Sequence, residues 1–329
     1  MRSTLTTFAV ACTLAATFAS TSAHAISFGN KDEASIKVEK GGTFKGQSVL
    51  AIGSFRVAFV TEDSAVSTSH GAFSGGGSAA KMTGILSGVD HALMQKIADE
   101  VYADFLKQAA AKGYTVIDSA KVAAASAAYS SVTQTVNFAD SRVGTLVIPT
   151  GQRSVALAAD NSAKESHGSA GLGGAFGNLG KTTAKSDANK AFPLAAKDVG
   201  APVMGVTIVV NFANFKGTSS SFGSSKATVE PGATIDGTNK NDLALFTSIL
   251  AWDAKSCEYI GCMARVILQG EIHSDSPIGD VSKSKSSSWL ASSKGTATIE
   301  ADPALYEKNV LEVTSHATEM MIDSIAKEK

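Results

Sequence analysis

The stretch VLAIGSFRVAFV, Val49 to Val60, is β-rich and almost wholly apolar, and its length reads as a buried strand. A Ser- and Gly-heavy segment follows, Thr61 to Gly88, containing Gly75-Gly76-Gly77, and reads as a loop. Next comes the clearest periodic element. From Asp90, suited to N-capping, Leu93, Ile97, Val101 and Phe105 recur at every fourth place, Ala98, Tyr102 and Ala109 widen the stripe, and Gly113 supplies the stop. Tyr114 to Asp118 (YTVID) is then a short strand, and Ser119 can cap an alanine-rich helix to about Tyr129. Strand, helix, strand, helix is the signature of an α/β arrangement.

Further on, the pattern between Thr135 and Ala158 turns β again, most strongly from Val143 to Ile148. Residues 161–190 are dominated by Gly, Ala, Ser and Lys and read as a flexible insertion or a long hairpin tip. Val206, Ile208, Val210 and Phe212 then alternate with Thr207, Val209 and Asn211, and Leu243 to Trp252 and Met263 to His273 are further strands, suited to an antiparallel extension of the sheet. Asp302-Pro303 opens a closing helix, on which Tyr306, Val310, Val313, Ala317 and Met320 repeat. The predicted fold is therefore α/β or α+β: a mixed β-sheet with a βαβα N-terminal half, a β-rich C-terminal half and a C-terminal helix. The division is 1–25 as a signal, 26–160 as the α/β region, 161–190 as the insertion, and 191–329 as a β-rich region sharing one core with 26–160.

Met1 to Ala25 has the layout of a secretory signal: Arg2, an apolar run around Phe8 to Phe18, then small polar residues ending Ala23-His24-Ala25. Cleavage near Ile26 is expected. Cys12 is a poor lipidation site, since the apolar run continues past it and no leucine stands three places before it. Loss of the signal leaves Cys257 and Cys262, an even count that in an exported chain predicts a disulfide around a short loop. With 329 residues, 44% of them hydrophobic and 18% charged, the chain is a folding globular protein. Lys+Arg 29 against Asp+Glu 30 gives a net charge of −1, which offers nothing to nucleic acid. No later apolar run reaches the ~18 residues of a spanning helix; Val203 to Phe215 comes nearest and is interrupted by Gly205, Thr207 and Asn211.

Two motifs imitate chemistry. Ala175 to Thr182 (AFGNLGKT) fits a loose phosphate-loop pattern, but lacks the preceding strand and following helix that would aim backbone N–H groups at phosphates. Ser78-Ala79-Ala80-Lys81 matches the S-x-x-K of penicillin-recognising enzymes, in which the lysine activates a serine at a helix start, yet no Lys-Thr-Gly accompanies it. His70, His91, His167, His273 and His316 have no metal-ligand spacing, and His273-Ser274-Asp275 holds triad residue types too close in sequence to form a triad. No catalytic residue, cofactor or metal site is assigned.

The block Val49 to Tyr129 resembles the periplasmic α/β domain of the curli-secretion-channel and penicillin-binding-protein-activator lipoproteins. The likeness lies in the hydrophobic strand, the long connection, the helix ending in Leu106 and Gly113, and the strand Tyr114-Thr115-Val116-Ile117-Asp118 before another helix. Those relatives carry an acid-Arg pair where this chain has Asp118-Ser119, and a lipid anchor that Cys12 does not supply. The resemblance implies a non-enzymatic envelope role as channel, assembly factor or regulator, and no functional residue is carried over. The expected function is that of an exported, periplasmic binding or assembly protein of a Gram-negative envelope, acting through protein surfaces on other envelope proteins or on itself, with peripheral outer-membrane contact allowed. The alternatives are a serine hydrolase using Ser78 and Lys81, and an oligomeric outer-membrane channel subunit whose glycine-rich segments form hairpins.

Overall fold

In the computed structural model, residues 34–70, 77–135, 137–141, 144–155, 188–219, 224–237, 246–255, 263–283, 286–289 and 293–329 are described. The N-terminal half comprises β1 (Ser35–Glu39), β2 (Val49–Val60), β3 (Glu62–His70), β4 (Gly77–Ser87), α1 (His91–Ala111), β5 (Thr115–Ile117), α2 (Ser119–Ala125), α3 (Ala127–Val132), β6 (Thr133–Gln134), β7 (Phe138–Ser141), β8 (Gly144–Val147) and β9 (Ser154–Val155). The C-terminal half comprises α4 (Ala188–Val199), β10 (Val203–Ser219), β11 (Ser224–Asp236), β12 (Ser248–Trp252), β13 (Ala264–Gln269), β14 (Glu271–His273), β15 (Gly279–Lys283), β16 (Ser286–Trp289), β17 (Ser293–Ala301) and α5 (Pro303–Lys327).

The apolar strand β2 takes the centre of the main sheet, as its composition requires. The order across that sheet is β1-β13-β12-β10-β2-β8-β7, with β10 parallel to β2, and β12, β13 and β1 following in antiparallel succession. The far edge of β2 is shared: β5 runs parallel to its start and β8 antiparallel to its end. The fold is thus a mixed α/β one, closed by a C-terminal helix.

Because side chains alternate along a strand, Phe55, Val57 and Phe59 share a face with Val206, Ile208 and Val210, their partners in the ladder. That face is covered by α1 and α5. Helix α1 begins where Asp90 Oδ1 accepts from Leu93 N at 2.8 Å, buries Ile97, Ala98, Val101, Tyr102, Phe105 and Ala109, and stops at Gly113, whose φ of 78° favours a residue without Cβ. Helix α5 starts the same way, with Asp302 Oδ1 accepting from Ala304 N and Leu305 N at 2.9 Å and Pro303 in the first turn. Its buried stripe holds Tyr306, Val310, Val313, Ala317, Met321, Ile322 and Ile325; Met320, expected in that stripe, is only partly buried, one place round the helix. One apolar cluster draws on β2, α1, β10 and α5 together.

The opposite face is covered near Ala51, Val203 and Trp252 by α2, α3 and α4, whose Val122, Tyr129, Phe192, Ala195 and Ala196 form a second cluster. Phe192 meets Trp252 edge-on, with centroids 4.8 Å apart. The expected single helix from Ser119 to Tyr129 is two helices. Asp118 is the cap of the first, accepting from Lys121 N at 2.8 Å, and Ser126, with extended φ of −129°, breaks the run and caps the second. Of the expected insertion, 161–187 lies outside the described residues, while 188–190 open α4.

The largest correction concerns Thr61 to Gly88. Instead of a loop it contains β3 and β4, which pair antiparallel from Glu62↔Ile85 to His70↔Gly77. They belong to a second sheet, β15-β17-β4-β3, in which β4 and β17 run parallel. This sheet packs against the hairpin of β10 and β11, which continues beyond the end of β2. Ser67 Oγ donates to Thr218 O at 2.6 Å, and Phe215 and Phe212 press on Gly84, where a Cβ would lie 2.7 Å from Phe215 Cζ. The strand expected from Leu243 to Trp252 begins at Ser248. Leu243 lies outside the described residues.

Candidate functional site

The strand β2 carries a single charged residue, Arg56. By register it shares a face with Ser54, and with Thr207 and Ser248 on β10 and β12; this is the face turned away from α1 and α5. Arg56 Nε donates to Thr207 Oγ1 at 2.8 Å, and Thr207 and Ser248 are themselves buried. Among the described residues no carboxylate reaches the Arg56 guanidinium, whereas Arg265, farther out on the same face, has Glu39 at 3.3 Å. Loss of solvent pulls the pKa of Arg56 down to about 10, with no acid to oppose it.

Beside this arginine β9 and α3 are tied to β2 by hydroxyl groups. The Ser54 and Ser154 hydroxyls lie 3.0 Å apart, and Tyr129 OH donates to Gly53 O. Ser119 Oγ donates to Gln152 Oε1 at 2.9 Å and accepts from Arg153 N at 2.7 Å. The Arg153 guanidinium is spent on Thr133, through Nε to Oγ1 and Nη2 to the carbonyl, both at 3.0 Å. Burial raises the Tyr129 hydroxyl well above the usual phenol range.

A second polar cluster lies where the two sheets meet. Asn211 Nδ2 donates to Asp63 Oδ2 at 2.8 Å and to Asp236 Oδ2 at 3.2 Å, joining β3, β10 and β11. His273 sits 3.2 Å from Glu271 and 3.1 Å from Thr234 Oγ1 on the adjoining strands. Burial raises the carboxyls of Asp63 and Asp236, and the negative charge of Glu271 adds to both shifts. Among the described residues no group of three His, Cys, Asp or Glu is disposed to hold a metal.

The residues singled out in the sequence fall elsewhere. Ser78 is on β4, 2% exposed, with its hydroxyl 3.0 Å from Ser225 Oγ between the two sheets. Lys81 is on the other face of the same strand and exposed, because residues three apart on a strand point opposite ways. The S-x-x-K geometry needs a helical turn, and β4 does not provide it. His91 stacks on Phe138, with centroids 4.7 Å apart, and lies 3.1 Å from Asp140; it is a surface group. Cys257, Cys262, His167, the signal segment 1–25 and the motif 175–182 lie outside the described residues. Arg56 is not among the residues singled out in the sequence; its signal there is a lone arginine in a twelve-residue apolar strand.

No protein-family model, curated protein or solved structure matches the chain.

Proposed function

We propose that this protein is an exported envelope binding or assembly factor that acts through a protein surface, and that the surface is the outer face of the β15-β17-β4-β3 sheet. The observation that carries this reading is the composition of that face. Ser64, Thr68, Thr83, Thr296 and Ser282 alternate outward from it among the charged Glu62, Lys81, Asp280, Lys294 and Glu300, with Val66 59% and Ile85 39% exposed. A sheet face four strands wide, rich in hydroxyls, with charges of both signs and isolated aliphatic groups, suits a broad and largely polar contact with another folded protein. The resemblance of Val49 to Tyr129 to periplasmic domains of channel and activator lipoproteins points the same way, as does the secretory layout of Met1 to Ala25.

Crosslinking in the native host with fractionation is the test. Thr68→Arg with Thr296→Arg, two exposed changes on one face that are not cross-strand partners, should abolish the crosslinked species while leaving the melting temperature within about 2 °C of wild type. Crosslinking that persists in this folded variant places the working surface elsewhere.

A second reading has its own observation in favour. The paired strands β3 and β4, nine and eleven residues long, have the length of membrane-crossing strands, which supports an oligomeric outer-membrane channel subunit. Against it, the outward side chains include Ser64, Thr68, Lys81 and Thr83, a poor surface for lipid. Extraction without detergent as a small soluble species supports the first reading; recovery only in detergent as a large ring supports the second. Among the described residues no helix is long and apolar enough to cross a membrane.

A further inference from the structure

We propose that Arg56 is the anchor of a binding site for a single carboxylate, held end-on by the two Nη groups. This goes beyond the surface reading and does not depend on it. Arg56 is placed by the rigid centre of the sheet, between β10 and β8, and Thr207 takes its Nε–H, which fixes the plane of the guanidinium. The remaining edge presents parallel N–H donors spaced to meet both oxygens of a carboxylate. Neither Nη has a protein acceptor among the described residues, and neither is sealed, since the side chain is only partly buried.

An unpaired charge stripped of much of its water is costly in the folded state, and an interior strand position filled by a hydrophobic residue would avoid that cost. Arg265, on the same face, shows the ordinary solution: its guanidinium has Glu39. At Arg56 the counter-charge is left to a ligand. Its valence follows from the neighbours. The Arg153 guanidinium keeps its charge but is held at Thr133 on β6; burial alone shifts the Arg56 pKa, with no second cation acting on it, and Ser54, Thr207 and Ser248 bring hydroxyls without charge. One positive charge among neutral groups matches a monoanion, and a planar one fits the free edge better than a dianionic phosphate.

The carboxylate can belong to a free small acid or to a peptide chain, and labelling with phenylglyoxal separates the two. Modification of Arg56 and of Arg265 is followed by peptide mass analysis on the wild-type protein at constant ionic strength. The additions are sodium chloride, acetate, tetra-alanine with a free C-terminus, or the same peptide amidated. Saturable slowing at Arg56 of at least threefold by acetate, with Arg265 unchanged, assigns a small acid. Slowing by the free-acid peptide alone, and not by its amide, assigns a chain carboxylate. Slowing no greater than that by chloride in every arm overturns the proposal, as does an Arg56 that never labels while Arg265 does. In a thermal-shift titration with the protective acid, Arg56→Lys should need at least tenfold more, because lysine keeps the charge and loses the fork; an unchanged midpoint would also overturn it.

Discussion

Asn211 donates its side-chain amide to Asp63 at 2.8 Å, and that one hydrogen bond ties β3 of the second sheet to β10, the first strand of the hairpin on which the sheet rests. The ladder between β10 and β11 slips its register between Asn211 and Ala213, and Asn211 Oδ1 accepts from Phe212 N at 2.9 Å. A bulge of this kind re-aims a side chain, here toward two carboxylates at once.

The arrangement makes stability depend on pH. Burial raises the carboxyls of Asp63 and Asp236 above their unfolded value of 3.8, with Glu271 adding to both, so the protonated forms are the ones the fold favours. That contribution is complete below the unfolded value and is lost as pH rises through the raised folded values. At neutral pH Asp236 is therefore a burden. Asp236→Asn keeps an acceptor for Asn211 and removes a charge, and should stabilise the protein at pH 7 by about 1–3 kcal/mol, the scale of relieving a desolvated group. Urea unfolding at pH 5 and pH 7.5 checks it: the variant should gain more at the higher pH, and an equal effect at both would refute the linkage.

The packing of the second sheet on the hairpin depends on a missing side chain. At Gly84 an added Cβ would come within 2.9 Å of two ring atoms of Phe215 and 3.2 Å of Phe212. These rings stand edge-on to each other, with centroids 5.6 Å apart, so neither can turn aside freely. Gly84→Val should cost about 1–3 kcal/mol through overpacking. An unchanged denaturant midpoint would mean that the two layers do not meet as described.

Tyr306 offers a gain. Its ring is fully buried at the start of α5, its hydroxyl has no hydrogen-bond partner among the described residues, and burial raises its pKa beyond the phenol range. Replacing both ring and hydroxyl would open a cavity, but Tyr306→Phe removes only the unsatisfied oxygen. The expected result is a stabilisation of up to about 1 kcal/mol, read as a raised melting temperature.

These features were legible in the sequence to different degrees. Strand β2 and helices α1 and α5 announce themselves because large apolar residues hold a steady period and asparagines are absent from their faces' centres, apart from Asn309 on α5. Strands β3 and β4 do not. Their inward set, Ala65, Ser67, Ser78, Ala80, Met82, Gly84 and Leu86, does alternate, but Ser78 and Gly84 are less apolar than the outward Val66 and Ile85, so the contrast that reveals a period is inverted at those points. Small residues are wanted there because Phe212 and Phe215 fill the space from the other layer. The helix break at Ser126 was hidden by alanines on both sides. Arg56 could have been noticed as a lone charge, but its partner Thr207 lies 151 residues away, and the acidic cluster is assembled from four strands; neither constellation has a local signature.

The last prediction separates a structural serine from a nucleophile. Ser78 lies between the two sheets with its hydroxyl against Ser225, both residues at most 3% exposed, and the Lys81 ammonium is on the far side of the strand. A substrate carbonyl would have to part the layers to reach Ser78 Oγ. Removing the hydroxyl leaves Ser225 buried with a hydrogen bond lost, which costs about 1–2 kcal/mol. Ser78→Ala should therefore lower the unfolding midpoint while leaving unchanged whatever labelling a fluorescent β-lactam or fluorophosphonate produces. Lys81→Ala, an exposed change, should alter neither stability nor labelling. Probe labelling that disappears in Ser78→Ala and in Lys81→Ala alike, with both variants folded, would overturn the structural role and establish the hydrolase instead.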